Sequence, residues 1–136
     1  MLGALPAIKT GGTMIVAAGC AQGLGSEEFV SMCRSLSSVD AFLDRIYNEP
    51  VVIDQWQLQE MMQVLQKCEV MLVTDGLDDQ TVRDCLLTPM PTVEDALAAA
   101  LKKHGHNAQV TVIPEGPYVT PVVAPNGAAH SLNGAH

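Results

Sequence analysis

Apolar and polar positions follow two rhythms along this chain. Three short runs are apolar at nearly every position: Thr13–Ala18 (TMIVAA), Val70–Thr74 (VMLVT) and Gln109–Ile113 (QVTVI). Such runs suit parallel strands covered on both faces. Val51–Ile53 is a fourth, very short candidate.

The segments between them carry helical spacing and start signals. Ser26 precedes Glu27 and Glu28, and Phe29, Val30, Met32, Cys33 and Leu36 form an apolar stripe behind it. Ser37 or Ser38 can cap a second helix, in which Val39, Phe42, Leu43 and Ile46 repeat at helical spacing. Asp54 with Gln57 three residues on resembles a capping box and opens QWQLQEMMQVLQKC. Residues 77–87 read as a short helix. Thr92 caps VEDALAAALKKHG, which Gly105 ends.

Strands separated by helices imply right-handed crossovers and a parallel sheet. The expected fold class is therefore α/β, a Rossmann-like three-layer sandwich with a short parallel sheet flanked by helices. One domain is expected over residues 1–123. The small, polar segment APNGAAHSLNGAH, 124–136, reads as a flexible tail.

Composition narrows the function classes. The 136 residues are 48% hydrophobic and 16% charged, as in a globular domain, and with only 4% aromatics the core must be aliphatic. A net charge of -8 with no basic cluster argues against nucleic acid as a partner. No apolar run approaches the roughly 18–20 residues that span a bilayer, so no membrane role is expected. The opening MLGALPAIKTGG has one lysine and no cleavage pattern, unlike a signal peptide. Cys20, Cys33, Cys68 and Cys85 form no CxxC pair, which suits a reduced, cytoplasmic setting.

Open parallel sheets bind ligands beyond the carboxyl ends of their strands. Each clear strand runs into a glycine-bearing loop there: Gly19–Gly25, Asp75-Gly76, and Pro114–Tyr118. Glycine in a single turn is ordinary. The first loop, with Gly23, Gly25 and Ser26, also delivers N–H groups to a helix start and is a candidate anion cradle. It is not a GxGxxG fingerprint, and no acidic ribose ligand follows.

Trp56 carries more information. On a helical wheel Leu58, Met61, Met62, Leu65 and Cys68 share one face, while Trp56 lies opposite with Glu60, Gln63 and Lys67. The sole tryptophan is thus expected on a polar face, in the first turn of its helix, beside the glycine loops. The competing expectation packs it against Pro50 or a loop. His104-Gly105-His106 lacks a third ligand at metal spacing and reads as a helix-terminal histidine pair. Cys20 has no neighbouring base, His130 and His136 fall in the tail, and no carboxylate pair suggests acid–base work. No catalytic and no metal-binding residue is therefore assigned.

Three blocks carry a family resemblance: IKTGGTMIVAAGCAQGLGSEEF, DQWQ at 54–57 followed by a helix and VMLVTD, and VEDALAAALKKHGHNAQVTVIPEGPYVTP. From about Lys9 to Pro121 the chain resembles the C-terminal portion of the nickel-dependent lactate racemase (LarA-type) family. It departs from the family pattern at Thr10, where proline is usual, and at Ala18-Gly19, where an acidic residue commonly precedes the cysteine.

The resemblance implies a 2-hydroxyacid racemase or epimerase that uses a nickel-pincer nucleotide as hydride acceptor, with histidine acid–bases. The residues that hold this cofactor and the catalytic histidines belong to the family's N-terminal catalytic domain, which these residues do not contain. The expected partners are that domain and a small 2-hydroxyacid substrate. The chain alone is expected to bind no cofactor and to be inactive. Of the family's substrate contacts, the tryptophan of DQWQ carries over onto Trp56. Gln55 and Tyr118 are the further substrate-binding candidates. Two alternatives stand beside this reading: a free-standing Rossmann-like module for a nucleotide or small anion, and an interaction domain that docks a protein through Trp56.

Overall fold

A computed structural model describes residues 1–116, 118–119 and 121–123. A 3-10 helix, Leu2–Ala7, leads into β1 (Gly12–Ala17), and three helices follow: α1 (Glu27–Arg34), α2 (Val39–Asn48) and α3 (Gln55–Lys67). Then come β2 (Cys68–Val73), α4 (Asp79–Asp84), β3 (Thr88–Met90) and α5 (Val93–His104). The three strands form a parallel sheet in the order β1-β2-β3, with Gly12 opposite Cys68, Ala17 opposite Val73 and Met71 opposite Thr88.

Side-chain alternation along the strands sorts the helices into layers. Met14, Val16, Cys68 and Val70 point to the face covered by α3 and the 3-10 helix, where Val64, Leu2 and Leu5 meet them. Thr13 and Glu69 point to the other face, where α5 lies: Thr13 Oγ1 is 2.8 Å from His104 Nε2, and Lys103 Nζ donates to Glu69 at 2.7 Å. Helix, sheet and helix make the three expected layers. Behind α3, a second cluster of Met32, Cys33, Phe42, Leu58, Met61, Met62 and Cys85 joins α1, α2 and α4 to it. Sulfur-bearing and aliphatic side chains thus fill the space that aromatics fill elsewhere.

Local chemistry explains most element boundaries. The hydroxyls of Ser26, Ser38 and Thr92 accept the N–H of the third residue on, and Asp78 does the same for α4. Acidic residues occupy first turns and Lys102, Lys103 and His104 the last turn of α5, as the helix dipole favours.

Several expectations need correction. Gln109–Ile113 forms no strand: it is irregular, and Val110 and Val112 lie exposed with no described strand beside them. The third strand is Thr88–Met90, hidden in sequence by Pro89. A proline lacks the ladder donor, and β3 tolerates it at the sheet's edge. Val51–Ile53 is an exposed loop, with Val51 and Ile53 facing solvent. Asp54 makes no capping box, since its backbone is left-handed and its carboxylate accepts no backbone N–H of α3. Leu65 is half-buried while Val64 is fully buried, because α3 is gripped from both sides, by the sheet and by α1 and α2. The tail 124–136, with His130 and His136, lies outside the described residues.

Candidate functional site

The carboxyl edge of the sheet gathers the first two glycine loops and the start of α3. Because α3 passes into β2 without an intervening residue, it runs antiparallel to that strand and begins at this edge. The two loops are fastened to each other. Ala18 N–H donates to Val73 O at 3.0 Å, and Thr74 Oγ1 donates to Gly19 O at 3.2 Å while accepting Gly76 N–H at 3.2 Å. A Cβ at Gly76 would strike the backbone oxygens of Gly19 and Cys20, so only glycine allows this approach.

Within the first loop Gly23 and Gly25 take φ of +74° and +102°, and Cys20 is left-handed at φ 47°. The loop does end on a helix N-terminus, yet that terminus already faces carboxylates. Ser26 Oγ accepts Phe29 N–H at 3.1 Å and donates to Asp54 Oδ2 at 2.6 Å, and Glu27 and Glu28 follow. This local charge opposes a further anion.

Asp54 stands at φ 64°, ψ 3° and turns the chain into α3. Gln55 is buried, and its amide oxygen accepts Val52 N–H at 3.0 Å. That group is thus engaged within the chain. Trp56 is 60% exposed, as the wheel requires. It lines an open cleft of about 300 Å³, together with Leu2, Phe29, Met61 and Val64, and Glu60 is the one charged side chain on that lining. Among the described residues the indole N–H donates to no protein group. Tyr118 is exposed in a turn closed by its N–H to Glu115 O at 2.8 Å, and does not line this cleft.

Comparison with known proteins places this arrangement. Residues 1–121 match the family described as the lactate racemase C-terminal domain. The chain belongs to that family. It is 32% identical over 111 residues to the lactate racemase of Lactiplantibacillus plantarum, a stretch that is 79% of this chain and 26% of that protein. It is 30% identical over 113 residues to the lactate racemase of Thermoanaerobacterium thermosaccharolyticum, covering 81% of this chain and 26% of that protein. The structure of the latter's apoprotein superimposes with a TM-score of 0.74 at 30% identity, covering 82% of this chain and 28% of that one. The chain thus spans about a quarter of the length of these relatives, in their C-terminal portion.

A nickel-bearing cofactor finds no fit among the described residues. No three His, Cys, Asp or Glu side chains converge, and His104 is engaged with Thr13 across the α5 face. No described helix is long and apolar enough to cross a membrane. The exposure of Trp56 was legible from the helical wheel. The Ser26–Asp54 bond was not, since the two residues are 28 positions apart and each reads in sequence as a cap for its own helix.

Proposed function

We propose that this lactate racemase C-terminal domain forms the substrate-pocket wall of a LarA-like 2-hydroxyacid racemase or epimerase. The exposure of Trp56 at the carboxyl edge of the sheet carries the reading. A tryptophan 60% open to solvent, on the rim of a cleft floored by Leu2, Phe29, Met61 and Val64, leaves a large flat apolar face unused by its own core. A small 2-hydroxyacid presents an alkyl side chain to such a face. The unengaged indole N–H can donate to its hydroxyl or carboxylate oxygen.

The same cleft offers no cationic side chain to a substrate carboxylate, since the one charged side chain on its lining is Glu60. The cation, the acid–bases and the nickel chemistry are then assigned to the N-terminal catalytic domain, in the portion of the relatives that this chain does not span. This domain's part is to bind, to orient and to exclude water. Its setting in the complete protein is cytoplasmic. Residues 1–123 form the working domain, with Gln55 placing Trp56 from behind; Tyr118, which lies off this cleft, is left without a part in it.

A domain exchange tests this. Residues 1–123 replace the corresponding domain of the Thermoanaerobacterium thermosaccharolyticum lactate racemase, and interconversion of D- and L-lactate is followed by chiral assay. The exchanged enzyme is expected to racemise lactate, and the chain alone is expected to do nothing. Turnover by the chain alone, or a folded and nickel-replete exchange enzyme without turnover, contradicts the proposal.

A further inference from the structure

The backbone at Asp54 is the local oddity of this site. Among the described residues it is one of three non-glycine residues at positive φ, and it stands two positions before Trp56. A left-handed residue lets the chain enter α3 from a loop with exposed Val51 and Ile53, and aspartate tolerates that conformation better than most side chains do. The expected reward for aspartate at this position, capping α3, is forgone. Its carboxylate is instead spent on two other side chains. Oδ2 accepts the Ser26 hydroxyl at 2.6 Å, and Oδ1 accepts the Gln57 amide at 3.2 Å.

These bonds bracket Trp56. On one side Gln55 is locked to Val52 by reciprocal bonds, its N–H to Val52 O at 3.2 Å and its amide oxygen from Val52 N–H at 3.0 Å. On the other side Gln57 is held by Asp54. The Ser26 bond also joins the starts of α1 and α3, and both helices line the cleft, through Phe29 of α1 and Trp56 of α3. A hydroxyl–carboxylate contact thus ties together two elements that line the cleft.

We infer that Asp54, tied to Ser26, is a positioning residue that fixes Trp56 at the rim of the cleft. Its value for substrate handling rests on the proposed role of Trp56. The positioning itself can be read without that role, because Trp56 is the only tryptophan in the chain.

The test uses Trp56 fluorescence in the chain as it stands. Asp54→Gly keeps the left-handed backbone and deletes the carboxylate, and Asp54→Asn keeps an acceptor for Ser26. Asp54→Gly is expected to lower the steady-state anisotropy of Trp56 and to raise its acrylamide quenching constant about twofold, following the gain in rotational freedom. Far-UV circular dichroism should stay unchanged, and Asp54→Asn should return the anisotropy to near the wild-type value. If Asp54→Gly does not fold, Ser26→Ala takes its place, with the same expectation for Trp56. A folded variant of either kind with wild-type anisotropy and quenching overturns the inference.

Kinetics in the domain-exchanged racemase separate this inference from the functional reading. Asp54→Gly should lower kcat/KM about tenfold when Trp56 is present and add nothing in a Trp56→Ala background, the coupling expected of groups acting through one another. Equal losses in both backgrounds overturn the positioning role. Loosened fluorescence with no kinetic effect from Trp56→Ala supports the positioning and removes the substrate role of Trp56.

Discussion

Trp56 and Leu58 lie two residues apart on α3, and the account assigns them opposite duties. Leu58 is fully buried in the cluster shared with α1, α2 and α4. Truncating it to alanine removes three carbons from a packed site, at a cost of about 2–5 kcal/mol. Trp56 is 60% exposed, so 40% of its surface is withdrawn from water. With roughly 150–250 Å² at stake for a whole tryptophan, that is about 60–100 Å², or about 1.5–2.5 kcal/mol at roughly 25 cal/mol per Å². Alanine retains part of this contact, and the unfolded chain is already partly compact, which brings the expected cost to about 1 kcal/mol. For a domain of this size about 1 kcal/mol corresponds to roughly 3–6 °C in Tm. Urea unfolding followed by far-UV circular dichroism, which does not rely on the tryptophan, measures both. Leu58→Ala should lose at least twice as much stability as Trp56→Ala. A Trp56→Ala variant as damaged as Leu58→Ala would make Trp56 a core residue and end the pocket-wall reading.

Further consequences follow from the loops and thiols. Gly76→Ala must push the β2 loop off the backbone of Gly19 and Cys20, and is expected to cost about 1–3 kcal/mol, as overpacking does, with the amide signals of residues 18–23 displaced in NMR spectra. Burial raises the Cys68 thiol above its ordinary value of 9.0, whereas the hydrogen bond between Cys33 and Cys85 raises the first and lowers the second, so the pH dependence is read from Cys68. The folded chain then holds protons that the unfolded chain has released, so stability is intact below about pH 8.5 and falls progressively as pH rises past 9; a flat urea midpoint from pH 8 to 10 refutes this. Iodoacetamide at neutral pH should label half-buried Cys20 first, and Cys33, Cys68 and Cys85 only on unfolding; early label on Cys33 contradicts the described core.

Much of this architecture could be read from residue order. β1, β2 and the five described α-helices were legible as apolar runs and helical segments, and three of their caps were too, because those signals are local: Ser26, Ser38 and Thr92 bond within three residues of themselves. β3 and the coil at Gln109–Ile113 were exchanged for a reason that is not local. A three-residue edge strand containing Pro89 owes its existence to the neighbouring β2, while Val110 and Val112 have strand character but no strand beside them. Leu65 and Val64 traded places because a helical wheel assumes one buried face, and α3 has two. At the site, the exposure of Trp56 follows from spacing alone. Its fastening through Asp54 depends on a left-handed backbone and on a serine 28 residues away, and neither leaves a mark in the helical period.

The central claim is that this domain shapes the substrate pocket through Trp56 and leaves the chemistry to another part of the protein. The most direct test is steady-state lactate racemisation by the domain-exchanged enzyme carrying Trp56→Ala, with nickel content measured on the same preparation. The account predicts kcat/KM lowered roughly ten- to a thousandfold, about 1.4–4 kcal/mol of transition-state stabilisation, at undiminished nickel occupancy. An unchanged kcat/KM, or a loss of nickel from a well-folded variant, would contradict it.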